Sequence, residues 1–434
     1  MDTMKPIILG EGDFLSLTNP TATSVQRELE SLALKLLDSP PIAAAKANAS
    51  QRFKILANDQ VPEEAWREFD AQMNEWAYHY LILALNSDSN YPKLLGHCYG
   101  PPHQWFGMDV PGTRGPGTAE NTDNHYTIVP VDGHSRFKLR GKRMVPAIGD
   151  CPFHITSNLS QSVNVSEVEW RHLLFDPSDE FEVTIGPDGA NGRVNHLQTS
   201  GDSRFLFIRD GRVDWRQKPN AYTFERLDPP TGAPQSVDDL VRVAARFIVD
   251  DVPMNYWFKQ MIGFLPPNSL SGIAVSAAVG GMPSQKLLRG RVKIADDEAF
   301  VLTLTAGDAE YWVLILYDWW GMSGNYWSRL SSLNNTQSVP NADGSYTYVF
   351  SIQDPGVHNW IDTLGLHETL FMNRWRRLPI MDAGPGGDPT SRCEVVKLAD
   401  LKQALPTETK WVTAADREKQ IEERYSAFKA RYEV

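Results

Sequence analysis

A carboxylate, an amide, an imidazole and a phenol follow one another at Asp123, Asn124, His125 and Tyr126, directly before the β-prone run 127–131. These groups can donate, accept and transfer protons, which general acid–base catalysis requires. The structural alternative is an Asx-turn that starts a strand, with Tyr126 buried. The four residues are predicted catalytic residues.

A second polar turn begins far along the chain, at Asp354-Pro355-Gly356. The nearby side chains of His358, Asn359 and Asp362 suit an active-site wall, because loops between strands often carry binding residues. Alternatively, the Asp and Asn side chains bond backbone amides to hold the turn, while Trp360 fills the core. We expect His358, Asn359 and Asp362 to face the first polar turn.

Aromatic side chains are unusually dense between residues 311 and 327. They are Tyr311, Trp312, Tyr317, Trp319, Trp320, Tyr326 and Trp327. This density indicates a pocket for a flat apolar ligand of terpenoid, steroid or aromatic shape, whereas the alternative is a sheet packed on helices or on a second subunit. The predicted substrate contacts are Arg209, Trp215, Tyr311, Trp320, Tyr326, Trp327, Trp360 and Arg374.

Arg209 and Arg374 need partners if they are buried, because an unpaired internal charge is costly. Ion pairs of Arg209 with Asp214 and of Arg374 with Asp362 are one interpretation, and recognition of an anion is the other.

Several motifs with demanding chemistry are missing from the sequence. It has no GxxxxGK(S/T) loop, GxGxxG turn, GxSxG elbow, HExxH helix or HxH pair. The spacing of His97, Cys98 and His103 is unlike that of common zinc sites, and His79 is expected to be packed in a helical core. We therefore predict no cofactor and no metal.

Composition limits the class of protein further. The chain has 434 residues and a net charge of -12, which disfavours nucleic acid as a partner. The first ten residues hold too short an apolar run for a secretory signal, and no apolar stretch reaches the length of a membrane span. Three cysteines without CxxC spacing favour a reducing compartment. We expect a soluble cytoplasmic protein, and a homo-oligomer is compatible with the sequence.

Helical patterns occupy the first hundred residues. Thr23 and Gln26 form a capping-box pattern before an apolar stripe that should end at Pro40-Pro41, and a second helix opens at Pro62. From His125 the apolar period changes to two. Predicted hairpin turns follow at Asp132-Gly133, Asp188-Gly189 and Asp210-Gly211.

A helical insert starts at the N-cap Ser236, strands resume between residues 300 and 350, and a capped helix follows Thr413. No fixed-period repeat is visible. The fold class is α+β and mainly β: a jelly-roll-like or sandwich core with an N-terminal helical region, a helical insert and a C-terminal helix. The predicted units are 1–118, 119–232, 233–270, 271–380 and 381–434.

Three blocks resemble bacterial proteins that carry paired domains of unknown function, families 1254 and 1214. The blocks are Asp123 to Tyr126 with Asp132-Gly133; 205–209 with Asp214-Trp215 and 225–227; and 341–346 with 354–365 and Arg374-Trp375. The resemblance covers roughly residues 120 to 378 and implies jelly-roll-like β domains, but no defined reaction. Relatives often place a histidine directly after the residue matching Gly365, where this chain has Leu366 and then His367.

These observations lead to one main hypothesis and two alternatives. The main hypothesis is a cytoplasmic enzyme that acts on a small hydrophobic molecule by cofactor-free acid–base chemistry, as a lyase, hydratase, isomerase or hydrolase. The first alternative is a non-catalytic ligand-binding or scaffolding protein. The second is a metal-dependent hydrolase built on a jelly roll.

Overall fold

The computed structural model describes residues 14–16, 18–57, 60–97, 100–115, 119–157, 164–251, 262–276, 282, 284–376 and 387–434. Strands dominate these residues, and helices lie before, between and after them in sequence. The chain is therefore α+β and mainly β, as predicted. None of the helices in these ranges combines the length and the apolar character needed to cross a bilayer.

The helices begin where the sequence offers caps. They are α1 (Ser24–Leu36), α2 (Pro40–Ala57), α3 (Phe69–Leu85), α4 (Val237–Asp250), α5 (Leu401–Ala404) and α6 (Ala414–Lys429). The Thr23 and Ser236 hydroxyls cap α1 and α4, accepting the backbone N–H of Gln26 and Asp239. The sequence predicted that Pro40-Pro41 would end a helix. In the structure α1 ends at Leu36 and Pro40-Pro41 opens α2, because proline suits the first helical turn.

The first β-sandwich consists of two sheets that share one core. Its strands are β1 (Leu95–Gly96), β4 (Asn124–Pro130), β5 (Phe137–Lys142), β6 (Phe153–Thr156), β7 (Asn164–Val168), β8 (Glu180–Gly186), β9 (His196–Gln198), β10 (Phe205–Gly211) and β11 (Ala221–Arg226). The sheet orders are β1-β4-β10-β6-β7 and β11-β5-β8-β9. The small hairpin β2 (His103–Trp105) and β3 (Met108–Val110) lies apart from both.

The second β-sandwich follows α4. Its strands are β12 (Ser269–Leu270), β13 (Ala274–Val275), β14 (Gln285–Lys293), β15 (Glu298–Leu304), β16 (Tyr311–Tyr317), β17 (Ser332–Asn334), β18 (Tyr346–Ser351), β19 (Trp360–Asp362), β20 (Glu368–Arg376) and β21 (Ser391–Lys397). The sheet orders are β12-β14-β20-β16-β17 and β19-β18-β15-β21, and β13 pairs with β14.

The two sandwiches have the same strand order. The path β4-β10-β6-β7 corresponds to β14-β20-β16-β17, and β11-β5-β8-β9 corresponds to β21-β15-β18-β19. Even the parallel pair recurs, since β8 with β9 and β18 with β19 are both parallel. The fold is thus internally duplicated, although the sequence shows no fixed-period repeat.

The three predicted hairpins are wrong. Asp132-Gly133 joins β4 to β5, which lie in different sheets. Asp188-Gly189 lies between the parallel strands β8 and β9, and Asp210-Gly211 lies inside β10. A turn sequence shows that the chain reverses, but a sandwich can send the next strand to the opposite sheet.

The C-terminal helix α6 starts with a complete capping box. The Thr413 hydroxyl accepts the Asp416 N–H at 3.2 Å, and the Asp416 carboxylate accepts the Thr413 N–H at 2.9 Å. We expect Thr413→Ala to reduce the free energy of unfolding by about 1 kcal/mol, because it leaves the Asp416 N–H without its acceptor. Urea denaturation checks this, with exposed Thr407→Ala as the control. Equal losses in the two variants would contradict the role of the cap.

Candidate functional site

The larger sheet of the first sandwich presents four reactive side chains on its outer face. Leu206 and Ile208 point into the core, so Arg209 points outward. The register pairs Arg209 with Tyr126. It also pairs Phe207 with His154, and His154 with Glu167. Tyr126, His154, Glu167 and Arg209 therefore share this face.

Burial keeps His154 a neutral imidazole. Its Nε2 lies 3.2 Å from an Arg209 guanidinium nitrogen, which can only donate, so the His154 proton resides on Nδ1. Nδ1 is buried and has no hydrogen-bond partner among the described residues. Burial holds the pKa of His154 well below 6.5, and the charges of Arg209 and Arg376 act in the same direction.

Glu167 lies one strand away from His154. Its Oε2 accepts a hydrogen bond from Asn164 Nδ2 at 2.8 Å, while its buried Oε1 has no partner in the described ranges. Burial raises the pKa of Glu167, and the charge of Arg376 opposes that rise. Glu167 is thus a carboxyl group with one open oxygen and a raised pKa, as expected of a general base.

The second sandwich faces these residues with the outer side of its own larger sheet. Arg376 pairs with Asp150 of the first sandwich at 2.8 Å. Ser284 donates a hydrogen bond to Glu169. We call this region the inter-sandwich seam and define it by Tyr126, His154, Glu167, Arg209, Arg289, Arg374 and Arg376.

The first polar turn lies next to the seam. Arg374 donates to the Tyr317 hydroxyl at 2.7 Å and to the Ala119 carbonyl. The Tyr126 hydroxyl accepts the Asn121 N–H and the Asn124 side-chain amide, each at 3.2 Å. Of the predicted catalytic residues, Tyr126 therefore lies at the seam, with Asn124 holding its hydroxyl.

Asp123 holds the turn rather than presenting a free oxygen. Its Oδ1 accepts Trp215 Nε1 at 2.7 Å, and its Oδ2 accepts the Tyr311 hydroxyl at 2.7 Å and Asn334 Nδ2 at 2.9 Å. Burial raises the pKa of Asp123, while these donated hydrogen bonds lower it. His125 is also buried, with its ring against Gly96.

The second polar turn does not line the seam. Asn359 bonds backbone groups, donating to the Val339 carbonyl at 2.8 Å and accepting the Val339 N–H at 2.9 Å, as in the structural alternative. Asp362 pairs with Arg329 at 2.7 Å. His358 lines a shallow surface depression, with Nε2 3.3 Å from the Gln337 carbonyl oxygen.

Both predicted ion pairs are wrong. Asp362 binds Arg329 instead of Arg374, and Asp214 binds Arg216, its neighbour in the same turn, instead of Arg209. The partners differ because Arg209 and Arg374 point out of the larger sheets toward the seam. His367, one residue beyond the position where relatives often place a histidine, is half-exposed and bonds Glu64 and Asp296 at the surface.

Most of the aromatic segment is packed inside the protein. The Trp320 ring contacts Phe53, Trp66 and Phe69, and its Nε1 donates to the Ala65 carbonyl at 2.8 Å. This is the alternative in which the sheet packs on the N-terminal helices. Tyr311 differs, since its hydroxyl binds Asp123 beside the seam.

The remaining predicted substrate contacts also have protein partners. Trp215 lies under the guanidinium groups of Arg424 and Arg431, with carbon-to-centroid distances of 4.3 and 4.7 Å. The rings of Tyr326 and Trp327 pack on Phe428 of α6. Trp360 belongs to the core of the second sandwich and donates to the Ser351 carbonyl at 3.2 Å.

The histidines near residue 100 form a packed group. His79 Nδ1 lies 2.8 Å from both the Thr113 carbonyl oxygen and His97 Nε2, and both rings are buried. His103 stacks on Tyr432, and Cys98 lies outside the described residues. Where the structure describes the chain, no three His, Cys, Asp or Glu side chains are arranged to hold a metal ion.

Sequence reasoning missed His154, Glu167, Arg289 and Arg376. The local signal for His154 was the alternation in Phe153-His154-Ile155-Thr156, which places its side chain opposite two core residues. Nothing local pairs His154 with Glu167, because that neighbour is set by strand pairing across a connection.

Two β-sandwiches of the same strand order, with helices added, define the class of this protein. A solved structure of an uncharacterized protein from Burkholderia cenocepacia is similar at a TM-score of 0.68 and 22% identity, covering 85% of this chain and 99% of that one. A protein from Vibrio parahaemolyticus aligns at a TM-score of 0.40 and 11% identity, covering 64% and 90%. No protein-family model and no curated protein matches the chain. The first likeness shows that the fold is shared.

Proposed function

We propose that the chain is an enzyme that binds a small, largely apolar carbonyl compound at the inter-sandwich seam and moves a proton on it without a cofactor. The observation that supports this most strongly is the neighbouring pair of His154, which is buried, and Glu167, which is partly buried; each has a buried polar atom without a partner among the described residues. Buried polar groups normally have partners, so a pair of open ones suits a ligand.

The chemistry follows from the state of each group. Glu167 Oε1 takes a proton from the carbon next to the substrate carbonyl. His154 Nδ1–H donates a hydrogen bond to the carbonyl oxygen as negative charge develops there, a role that suits a neutral imidazole. Arg209 fixes the tautomer by donating to Nε2. Isomerisation and elimination both begin with this proton removal.

The surroundings favour an apolar substrate. Phe205, Phe207 and Ile128 lie on the same outer face as His154 and belong to the core shared with the helices. His154 therefore lies beside tightly packed apolar side chains, a setting that suits a terpenoid, steroid or aromatic skeleton better than a sugar. We also propose that the chain belongs to the paired families 1254 and 1214, on its three sequence blocks, and that it acts in the cytoplasm.

The test is exchange of substrate protons with solvent. Full-length protein is incubated in D₂O with a panel of terpenoid, steroid and aromatic ketones, and deuterium at the carbon next to the carbonyl is followed by NMR. We expect exchange with the wild type and a loss of about 10²-fold or more in Glu167→Gln, because the base is gone. Glu182→Gln, on the exposed face of β8, is the control. Equal exchange by all three proteins would refute the assignment.

A second candidate is a binding protein without chemistry. It is favoured by the engagement of Asp123, Tyr311 and Tyr317, whose polar atoms already bond protein groups. In that case a ketone from the panel raises the Tm of the protein further as its concentration rises, and no deuterium enters the ketone.

A further inference from the structure

Four arginines lie on the outer face of the larger sheet of the second sandwich. On β14 the core side chains are Leu288 and Val292, so Arg289 and Arg291 point outward. On β20 the core side chains are Phe371 and Trp375, so Arg374 and Arg376 point outward. The outer face is therefore strongly cationic at this position.

Two of these arginines are neutralised. Arg291 donates to Glu368 at 2.7 Å, and Arg376 pairs with Asp150 at 2.8 Å. The other two, Arg289 and Arg374, form no ion pair with a carboxylate in the part of the chain that the structure describes. Among the described residues, Arg374 bonds only a hydroxyl and a carbonyl, and Arg289 Nε is buried without an acceptor.

Arg289 and Arg374 lie close together. The register sets Arg289 opposite Met372 and Arg374 opposite Leu287, which makes the two arginines diagonal neighbours on adjacent strands. Burial lowers the pKa of Arg289, and the charge of Arg374 adds to this effect. Two like charges held together on an apolar surface leave an electrostatic cost that an anion between them removes.

We propose that Arg289 and Arg374 form an oxyanion subsite of the inter-sandwich seam, which binds a carboxylate or phosphate group of the substrate. The inference rests on the proposed function and names the class of its substrate: an apolar molecule that carries an oxyanion. Guanidinium groups suit oxyanions because they offer several N–H donors in one plane. Leu287 and Met372, which flank the pair, are buried in an apolar cluster, so the two arginines lie in apolar surroundings.

The chain as a whole is negatively charged. Its net charge of -12 repels anions in general, so anions gain little from unspecific attraction to this protein. Binding of an anion therefore requires a local cationic site.

The experiment measures anion binding alone, by thermal unfolding of the full chain. Sodium phosphate and sodium octanoate are titrated separately against sodium chloride at equal ionic strength, with the wild type, Arg289→Gln and the control Arg392→Gln, whose side chain is exposed on β21. We expect at least one oxyanion to raise the wild-type Tm above the chloride value. We expect Arg289→Gln to weaken the apparent affinity about tenfold or more and Arg392→Gln to leave it unchanged.

The two titrations distinguish a carboxylate site from a phosphate site, because a carboxylate site in apolar surroundings prefers octanoate and a phosphate site prefers phosphate. No Tm rise in the wild type, or an equal rise in Arg289→Gln, overturns the subsite. The two proposals can fail separately. Anion binding without deuterium exchange supports the subsite and refutes the enzyme. Deuterium exchange without anion binding supports the enzyme and refutes the subsite.

Discussion

Replacing Arg114 with methionine should lower the free energy of unfolding by about 3–5 kcal/mol, since it leaves a buried carboxylate without its cation. Arg114 is 5% exposed and Glu75, on α3, is 2% exposed. Two guanidinium nitrogens bond the two carboxylate oxygens at 2.7 and 2.8 Å, and the Arg114 N–H bonds the same carboxylate at 2.9 Å.

The effect should reach the inter-sandwich seam. Arg114 also donates to the Ser323 and Gly324 carbonyls, and Ser323 in turn bonds the Glu120 carboxylate. Glu120 lies directly before the first polar turn, so this network joins the helices, the turn and the second sandwich. Loss of Arg114 should therefore loosen the turn that carries Tyr126.

The loss should depend on pH. Burial already raises the pKa of Glu75, and the charge of Arg114 opposes that rise. Without Arg114 the folded-state pKa of Glu75 rises further above its unfolded value. The remaining stability is then fully present at acidic pH and falls as pH rises through the folded-state pKa.

The double variant Arg114→Met with Glu75→Leu is the matched control. Removing both charges replaces the ion pair with apolar groups, which is often close to neutral. Urea denaturation at pH 6 and pH 8 compares the wild type, the single variant and the double variant. If the double variant were as unstable as the single one, packing rather than the unpaired charge would explain the loss.

Local signals in the sequence predicted the helix starts and the class of fold. Thr23, Ser236 and Thr413 all cap helices, because a cap depends on residues within one turn of it. Strand alternation predicted a mainly β chain. Neither signal reveals the duplicated strand order, since β4 and β14 share a place in the topology without sharing a repeat in sequence.

The candidate site was predicted only in part. The first polar turn and Arg374 do lie together, and Tyr311 joins them through Asp123. The chosen partners of Arg374 and Asp362 were wrong because opposite charges in the sequence do not show which face of a sheet each side chain occupies. His154 and Glu167 were missed because their pairing depends on the register of short strands.

Glu30 should make the protein less stable as the pH rises from 5 to 8. Glu30 is 1% exposed in α1. Within the described part of the chain no basic side chain bonds it, and its carboxyl meets only the Gln26 amide, at 2.8 Å, and the Tyr78 hydroxyl. Burial raises the pKa of Glu30 from 4.5 to about 7. Between pH 4.5 and 7, Glu30 is therefore protonated in the folded state and ionised in the unfolded chain.

Proton binding by Glu30 is coupled to folding. Because the folded-state pKa lies above the unfolded value, the contribution of Glu30 is fully present below pH 4.5 and is lost as pH rises through 7, a change of about 3 kcal/mol. Glu30→Gln mimics the protonated acid: its amide can donate to the Tyr78 hydroxyl oxygen while its oxygen accepts from Gln26. The variant should match the wild type at pH 5 and exceed it at pH 8. Urea denaturation at both values checks this, with exposed Glu28→Gln as the control, and a Glu30→Gln advantage that stays constant with pH would show that Glu30 is not the titrating group.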